Sequence, residues 1–499
     1  MRACLALARA ACQSLAPQVR VHLCVREPVI AARLQQGGPG LWAVPGLPSP
    51  LALFLPQREV GVEPAQEQAA ALGYGQAALL CPMGEGRIAE LIDAAQALLS
   101  DLQIFADSDC GTAPSPRFFG GLRFAPQSPG EHRTAIADDP WRGLPDAHFV
   151  LPRWALVLQA GEGYLQLNTT VAELMEGAVL EHELVQLEAA LAAREPTPAE
   201  PVLAGQVVGL QAGEAERWQV LVERALHEIT EGRLHKVVLA RGQIVPAPAS
   251  SSASLAAVLA NLTAAYPTCM RFALPLFDSC LVGATPELLV ARQGASVRCD
   301  ALAGSLPRRD SGGGPLASAI SRQAQTLLSD EKEGREHAHV VAALCDRLRP
   351  FVGAIQPVTP QPRVLRNVIH LWTPLSAELT APTHVLQLLA ALHPTPAVCG
   401  VPQQAAARFI CAQEALPRGY YAAPVGWFDG AGDGEFYVAI RSALLRDGQA
   451  FLFAGAGIVA GSQPAKEFRE TAAKLQPMLA ALGLLSDGSE PVGAAGSPA

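Results

Sequence analysis

Apolar residues follow helical or alternating spacing more clearly after residue 213 than before it. Apolar positions three and four residues apart are typical of helices, and strict alternation is typical of strands. Short turns between strands, such as Asp447-Gly448, favour antiparallel pairing over parallel units. We therefore predict a mixed α+β fold. Its predicted elements are helices at 214–232, 253–265 and from Ser329 onward, and strands at 235–245, 271–277, 279–294, near 368–372 and within 435–457.

The first 205 residues give a weaker pattern of short strands, helical patches and Pro/Gly breaks. Alternation within 18–34 predicts a strand, and the apolar spacing of 183–195 predicts a helix. Two adjacent glycines in "RFFGGLRFAP" (117–126) predict a bent strand or a bulge. These patterns predict structure and indicate no chemistry in this part of the chain.

The proline-rich stretch 196–201 is the best candidate for a boundary within the chain. We therefore divide the chain into an N-terminal part, 1–205, and a second part, 206–485. Residues 486–499 are rich in Gly, Pro, Ser and Ala, which predicts a disordered tail.

Composition excludes several classes of partner and site for this chain. There are 37 Lys and Arg against 46 Asp and Glu, a net charge of -9, so we expect no nucleic-acid partner, which would require neutralised phosphates. The 11 cysteines are scattered, which predicts neither a disulfide framework nor a zinc site and favours a reducing compartment. No uncharged apolar run approaches the roughly 18 to 20 residues of a membrane span, so we expect a soluble, cytoplasmic protein. Four arginines and no acid in residues 1–26 allow a targeting segment as the alternative.

Acidic side chains interrupt the apolar face of two predicted helices. The first helix spans 329–348, with Ser329 as its expected cap and Asp330 and Glu331 in its first turn. Buried carboxylates are unfavourable unless they are paired or bind a metal. Followed backward, the apolar stripe of this helix runs through Leu348, Leu344, Val341 and Val340 to His337, Glu336 and Glu333.

A second acidic pair, Glu467 and Glu470, precedes the stripe of Thr471, Leu475 and Leu479. Magnesium prefers oxygen ligands, commonly one or two carboxylates with water and substrate oxygens. Two helices that each offer a carboxylate pair could therefore form a Mg²⁺ site. The alternatives are ordinary solvated faces and acids that stabilise a helix N-terminus.

Gly455, Gly457 and Gly461 follow a predicted strand and allow two interpretations. One is a dinucleotide site, which would make the protein an oxidoreductase. This is the weaker interpretation, because the glycine spacing departs from the usual fingerprint and no second strand follows. The other is a nest of backbone amides for a carboxylate. Arg441 on the preceding strand could hold a carboxylate with two hydrogen bonds, or form a surface ion pair. Together these features predict a small substrate with several carboxylates that meets a metal.

A series of motifs covering about residues 215–482 resembles the chorismate-utilising enzymes, and among them the isochorismate synthases. These motifs are "KVVLAR" (236–241), "GATPELL" (283–289), "ALAGS" (301–305), "REHAHVV" (335–341), "HLWTP" (370–374), "HPTPAVCG" (393–400), "PVGWFD" (424–429), "VAIRSAL" (438–444), "AGAGIVAGS" (454–462) and "EFRETAAKL" (467–475). The resemblance implies a large α+β unit of antiparallel sheets packed by helices, with the active site buried between the sheets. It makes 206–485 the chorismate-binding catalytic domain and 1–205 a variable part of the same unit.

The resemblance also assigns the metal and substrate contacts. Glu336 and Glu470 resemble the direct Mg²⁺ ligands, and Glu333 and Glu467 resemble nearby carboxylates that act through water. The metal would hold the ring carboxylate of chorismate. Residues that resemble substrate contacts are Gly304, Ser305, His370, Tyr421, Arg441, Gly455, Gly457 and Lys474. Without the resemblance, His370 would be interpreted as a core histidine, Tyr421 as a packing residue and Lys474 as a surface residue.

Lys236 and Glu287 resemble the catalytic base and acid. Lys236 lies in an apolar strand, where burial favours a neutral amine that can take a proton from water. That water would attack C2 of chorismate, while Glu287 would protonate the departing C4 hydroxyl. The plain alternatives are a strand-edge charge for Lys236 and a turn acid after Pro286 for Glu287.

Water as the nucleophile separates this chain from relatives that add ammonia, because Lys236 is present and Ala303 stands where aminodeoxychorismate synthases carry a nucleophilic lysine. We therefore expect chorismate as the partner, no glutaminase subunit, and a monomer or weak homodimer. The motifs "HPTPAV", "RFFGGLRF" and "HFVLPR" favour the menaquinone type of isochorismate synthase. A salicylate synthase, which goes on to eliminate pyruvate, is the alternative, and a siderophore or salicylate pathway stays open.

Overall fold

The structure is a computed structural model of the chain. It describes residues 1–35, 41, 44, 47, 51–54, 70–106, 114–127, 139–193, 213–247, 252–308 and 316–484. The proposed boundary at 196–201 and the predicted tail at 486–499 lie outside these residues.

Helices occur throughout the described residues. They are α1 (Arg2–Cys12), α2 (Pro28–Gln35), α3 (Arg87–Leu99), α4 (Val171–Glu176), α5 (Ala178–Ala192), α6 (Glu214–Thr230), α7 (Ser252–Ala265), α8 (Leu316–Leu328), α9 (Glu331–Leu348), α10 (Val385–Leu392), α11 (Gln403–Gln413) and α12 (Pro464–Ala481).

The strands of the N-terminal part are β1 (Arg20–Arg26), β2 (Leu51–Phe54), β3 (Ala70–Tyr74), β4 (Ala78–Leu80), β5 (Gln103–Ala106), β6 (Arg117–Leu122), β7 (Ala147–Leu151), β8 (Trp154–Gln159) and β9 (Glu162–Thr170). Those of the second part are β10 (Lys236–Pro246), β11 (Met270–Leu276), β12 (Ser279–Thr285), β13 (Leu288–Gln293), β14 (Ser296–Pro307), β15 (Gln356–Pro357), β16 (Gln361–Val364), β17 (Val368–Glu378), β18 (Gly400–Val401), β19 (Pro424–Asp429), β20 (Gly434–Val438), β21 (Ser442–Arg446) and β22 (Gln449–Ile458).

These strands form two sheets. One has 12 strands in the order β18-β10-β22-β21-β12-β11-β2-β3-β8-β9-β1-β5. The other has 10 strands, in the order β15-β17-β14-β13-β20-β19-β6-β7-β4 with β16 paired to β17. Strands β1 and β5 pair in parallel, whereas the neighbours that build the site, such as β10·β22 and β14·β17, are antiparallel. Both sheets contain strands from both sides of residue 205, so the N-terminal part extends sheets that the second part also builds.

The predicted hairpin at Asp447-Gly448 is confirmed, because β21 and β22 pair across it. Both residues have positive φ, 51° and 72°, as a two-residue hairpin turn requires. The strand expected within 18–34 is β1, and the helix expected at 183–195 is α5, which begins and ends earlier in the chain.

The bulge predicted at the paired glycines of β6 is wrong. The registers of β6 with β19 and with β7 run through both glycines without a shift. Glycine is needed there because the strands approach closely: a Cβ on Gly120 would lie 1.9 Å from the carbonyl oxygen of His148. The pattern therefore marked close packing and not an extra residue in the strand.

Apolar side chains of the two sheets share one core, which includes Phe118, Leu239, Phe272 and Phe436. A second core lies under α1, α5 and α7, which pack on strands of the 12-stranded sheet. Helix α9 packs on β14, and α12 packs on β22 and on α6. These contacts place the two acidic helices beside strands of different sheets. Among the described helices, none is both long and apolar enough to cross a membrane.

Candidate active site

A pocket between the two sheets collects residues that are far apart in the chain. Its cavity volume is about 70 Å³, and it is partly open to solvent. The predicted site residues that line it are Glu287, Gly304, Ser305, Glu336, His370, Tyr421, Arg441, Gly455, Gly457, Glu470 and Lys474. Three others, Lys236, Glu333 and Glu467, lie beside it and not in its lining. The structure therefore gathers the predicted residues in one region.

Helix α9 supplies Glu333 and Glu336. Its N-cap is Asp330, whose carboxylate accepts hydrogen bonds from the amides of Lys332 and Glu333, so the predicted cap at Ser329 is wrong. The Ser329 hydroxyl instead bonds back to the preceding helix. The charge of this aspartate also lies at the positive end of the helix dipole.

His337 fixes the rotation of α9. Its Nδ1 lies 3.1 Å from the carbonyl oxygen of Ala303, and its Nε2 lies 2.7 Å from the hydroxyl of Thr373. Both ring nitrogens thus bond to strands of the ten-stranded sheet, and the side chain is only 2% exposed. This histidine is a packing residue that points its neighbours Glu333 and Glu336 toward the pocket.

Helix α12 supplies Glu467, Glu470 and Lys474. Pro464 occupies its first turn, and the buried Thr471 and Leu475 continue the predicted apolar stripe. The Arg241 guanidinium on β10 donates to the Thr471 hydroxyl at 2.7 Å, which fastens α12 to the strand that begins with Lys236. The helix with the acidic pair is thereby held against the strand with the buried lysine.

Ser305 joins the two acidic helices. Its amide donates to Glu333 Oε2 at 2.9 Å, and its hydroxyl donates to Glu470 Oε1 at 3.0 Å. The pairing of β14 with β17 shifts register between Ala303 and Ser305, and Gly304 has φ +77°. Glycine permits this left-handed conformation, which turns the Ser305 amide out of the ladder.

Lys236 is fully buried and lies next to Glu336, with 2.8 Å between Nζ and Oε1. The two groups form a buried ion pair. The plain alternative for Lys236, a charge at the edge of a sheet, is wrong, because β10 lies between β18 and β22.

Two of the three glycines lie in a regular strand. Gly455 and Gly457 are in β22 opposite Ala240 and Val238, and neither has positive φ, whereas Gly461, with φ +86°, lies in the turn between β22 and α12. The amide nest and the dinucleotide-binding turn predicted at Gly455 and Gly457 are wrong, because both require a turn of the backbone there. Their small size has another use, since a Cβ on Gly457 would lie 2.6 Å from Glu336 Oε1. The glycines make room for side chains of the site.

Lys474 connects the pocket floor to Glu470. Its ammonium donates to Glu470 Oε1 at 2.6 Å and to the Gly455 carbonyl oxygen at 2.9 Å. Burial acts to raise the pKa of Glu470, but the charge and hydrogen bond of Lys474 outweigh it and leave the pKa lowered. Glu470 is thus held as an anion.

Glu287 has the opposite electrostatic environment. It follows β12, is 3% exposed, and its amide lies 3.3 Å from the Thr285 hydroxyl. Burial, and then the charge of Asp300, raises the pKa of Glu287 to about 8. The carboxyl group is therefore mostly protonated at neutral pH.

His370 and Arg441 form a buried pair on the pocket wall. His370 Nδ1 lies 3.3 Å from the Gly304 carbonyl oxygen, and Arg441 Nη2 lies 3.2 Å from His370 Nε2. Burial and the neighbouring guanidinium hold the pKa of His370 well below its usual range. A neutral ring with the proton on Nδ1 satisfies both contacts. Nearby, Tyr421 stacks on Phe453 with ring centroids 5.2 Å apart.

The four acidic side chains of α9 and α12 provide the oxygen donors that a hard divalent cation requires. Burial, and then neighbouring carboxylates, raises the pKa of both Glu333 and Glu467. Glu467 Oε1 is buried without a hydrogen-bond partner, so this oxygen is available as a ligand for a cation. These residues therefore fit a Mg²⁺ ion. In the present arrangement, no three such side chains of the described residues converge as metal ligands, and lysines lie among the four glutamates.

Sequence reasoning missed Lys332 and the apolar walls. Lys332 Nζ lies 3.6 Å from Glu333 Oε1 and 3.5 Å from Glu467 Oε1. A lysine beside Glu333 in the first turn of α9 was visible in the sequence, but its approach to α12 depends on tertiary packing. The apolar wall residues are Val238, Leu302, Ala397, Val398, Ile440 and Phe453.

Comparison with known proteins agrees with this geometry. The model of a family described as chorismate binding enzymes matches residues 56–483. This chain belongs to the chorismate-binding enzyme family. The salicylate biosynthesis isochorismate synthase of Pseudomonas aeruginosa is 37% identical over 425 residues, which are 84% of each chain. Isochorismate synthase MenF of Bacillus subtilis is 35% identical over 375 residues, 74% of this chain and 76% of its own.

The fold of this chorismate-binding enzyme recurs in a solved structure. The menaquinone-specific isochorismate synthase MenF of Escherichia coli superposes with a TM-score of 0.72, covering 97% of this chain and 99% of its own at 23% identity. The predicted fold, a mixed α+β unit with antiparallel sheets and packed helices, is confirmed.

Proposed function

We propose that this enzyme is an isochorismate synthase, which adds water at C2 of chorismate and removes the C4 hydroxyl. One observation carries the proposal: Glu287, a buried carboxyl group with a raised pKa, lines the pocket, and the fully buried Lys236 lies directly behind its lining, 2.8 Å from the lining residue Glu336. A base and an acid at one pocket suit a displacement in which one oxygen arrives as another leaves.

Glu287 is the proposed general acid. Its pKa of about 8 leaves the proton on the carboxyl group at neutral pH, where it can be passed to the departing hydroxyl. An ordinary glutamate would be ionised and could not donate. Burial thus prepares the group for its role before substrate binds.

Lys236 is the proposed base that takes a proton from the attacking water. It can do so only as a neutral amine, and its Nζ lies 2.8 Å from Glu336 Oε1. Glu336 is also a proposed metal ligand, so this contact links the lysine to the acidic pair on α9.

We propose that Glu336 and Glu470 hold Mg²⁺ directly, with Glu333 and Glu467 beside them. A bound Mg²⁺ would supply positive charge that orients the ring carboxylate of chorismate. Lys236 is left without its carboxylate partner when Glu336 turns away.

Arg441 is the proposed cationic contact for the enolpyruvyl carboxylate of chorismate, and Lys474 lies near the metal end, where it bonds Glu470. Both line the pocket, and Arg441 is 7% exposed, so its charge is available to a ligand in a poorly hydrated site. His370 holds the Arg441 side chain, and Tyr421 lies on the same wall. We propose Gly304, Gly455 and Gly457 as positions where substrate passes close to the backbone.

We propose menaquinone biosynthesis as the pathway, because the motif "HPTPAV" and the N-terminal motifs "RFFGGLRF" and "HFVLPR" resemble the menaquinone type. The relative from Pseudomonas aeruginosa is named for salicylate biosynthesis and matches over 425 residues, against 375 for MenF of Bacillus subtilis, so the length of the match does not favour menaquinone. Expression in a bacterium without its own isochorismate synthase tests the choice. Restored menaquinone supports the proposal, and salicylate in its place would overturn it.

Product analysis tests the activity itself. Purified protein is incubated with chorismate and Mg²⁺, with and without EDTA, and the products are separated by chromatography. Isochorismate that requires metal and disappears in Lys236→Ala supports the proposal. Salicylate together with pyruvate would identify a salicylate synthase with the same site, and intact chorismate in the presence of folded protein would contradict the proposal.

A further inference from the structure

Lys332 lies among the four carboxylates and has no role in the chemistry above. Its ammonium links α9 to α12, at 3.6 Å from Glu333 Oε1 and 3.5 Å from Glu467 Oε1. The Lys332 side chain is 25% exposed, whereas those of Glu333 and Glu467 are 10% and 2% exposed. The ammonium therefore reaches the buried carboxylates from the solvent side.

The three lysines of this region are held differently. Lys474 donates a hydrogen bond of 2.6 Å to Glu470, and Lys236 lies 2.8 Å from Glu336, although its Nζ makes no hydrogen bond of good geometry. Lys332 is almost 1 Å farther from either partner, and Glu467 Oε1 remains without a hydrogen bond. Attraction between charges holds Lys332, and no short bond must be broken to move it.

We propose that Lys332 is a tethered cation that neutralises Glu333 and Glu467 in the metal-free enzyme and moves aside when a divalent cation binds. The inference rests on the metal site of the proposed function. An ammonium and a divalent ion at the same carboxylates repel each other. Lys332 has a flexible stem and an exposed end, so it can turn toward water without disturbing the core.

Lys332 is accordingly a positioning residue that sets the affinity for metal. It lowers the repulsion among Glu333, Glu336, Glu467 and Glu470 while no metal is bound. It also opposes the metal as a competing charge. Removing the ammonium should therefore lower the stability of the metal-free protein and raise its affinity for the metal. An ordinary stabilising ion pair would not produce both effects.

Magnesium binding to the protein without chorismate tests this inference. Lys332→Gln removes the ammonium, and Arg335→Gln is the matched control. Arg335 lies on the same helix, and its side chain is 71% exposed and 3.7 Å from Glu331. Isothermal titration calorimetry should show about five-fold tighter Mg²⁺ binding for Lys332→Gln, the effect of one partly exposed charge. Its metal-free melting temperature should fall, its gain on adding Mg²⁺ should rise, and Arg335→Gln should match the wild type in both.

Unchanged or weaker Mg²⁺ binding by Lys332→Gln would overturn the inference. The inference would also be overturned if none of these proteins bound Mg²⁺ and chorismate were still converted. That result would leave the proposed addition of water intact. Tighter binding by Lys332→Gln in a protein that leaves chorismate unchanged would instead support the inference and overturn the proposed function.

Discussion

The two ends of the pocket treat a buried carboxyl group in opposite ways. At one end, burial and the charge of Asp300 raise the pKa of Glu287 to about 8. At the other end, Lys474 at 2.6 Å and the Ser305 hydroxyl at 3.0 Å keep the pKa of Glu470 lowered despite burial. One glutamate of the cavity is therefore held protonated and the other ionised.

This difference comes from the immediate partners and not from depth. A carboxyl group with few donors keeps its proton and can act as an acid, whereas one held by an ammonium and a hydroxyl stays ionised and can bind a cation. The acid end is thus set by burial and the charge of Asp300, and the metal end by the ammonium and hydroxyl that bond Glu470. Substitutions and pH changes that affect one end of the pocket test this difference between the two ends.

Replacing the acid should have the largest effect. Glu287→Gln keeps the shape of the side chain but cannot donate a proton to the leaving hydroxyl, so we expect kcat to fall about 10²- to 10⁴-fold. Steady-state kinetics measures this fall in kcat. Glu435→Gln is the control, because Glu435 is another buried glutamate whose partner, Tyr437, lies outside the pocket lining. Equal losses in both variants would show that the effect is structural.

A methyl group at Gly457 should disturb the metal end. Its Cβ would lie 2.6 Å from Glu336 Oε1, so Glu336 must move, and we expect kcat/KM to fall about 100-fold. Gly334→Ala is the matched control, since a Cβ there meets nothing within 4 Å and the residue lies in α9. Wild-type activity in Gly457→Ala would contradict the placement of Glu336.

The pH dependence should report the acid end. Above about pH 8 Glu287 loses its proton, and we expect kcat to fall about ten-fold for each further pH unit. The folded pKa lies above the ordinary value of 4.5, so the folded state binds the extra proton and the free energy of unfolding falls as pH rises between these values. Denaturant titrations at several pH values should show a smaller fall in Glu287→Gln. An activity that is constant to pH 10 would contradict the assignment.

Ser305→Ala should have the smallest effect. It removes the hydroxyl that bonds Glu470 but keeps the amide that bonds Glu333. We expect a loss of about 0.5 to 1.5 kcal/mol in the free energy of unfolding, together with weaker Mg²⁺ binding. Ser329→Ala, on the exposed end of α8, is the control. An unaltered affinity for Mg²⁺ would show that Ser305 does not position Glu470.

Local patterns predicted the elements of this enzyme better than their contacts. The acidic helices and the Asp447-Gly448 hairpin follow from spacing and turn chemistry, which act over a few residues. The cap of α9 was placed one residue early, because Ser329 and Asp330 are both good caps and the sequence alone does not rank them.

Contacts between distant segments explain what the sequence analysis missed. The glycines of β22 were interpreted as a backbone site, yet their role depends on Glu336 and Tyr421, which come from elsewhere in the chain. Likewise, the approach of Lys332 to Glu467 depends on how α9 and α12 pack. Such roles are properties of the assembled pocket.

The central claim is that water enters C2 as the C4 hydroxyl departs. Incubation with chorismate and Mg²⁺ in water enriched in oxygen-18, followed by mass spectrometry of the product, tests it most directly. We predict isochorismate that carries one labelled oxygen at C2 and none of the original C4 oxygen. Isochorismate without label would contradict the account, because the hydroxyl would then have moved within the substrate and Lys236 would have no water to activate.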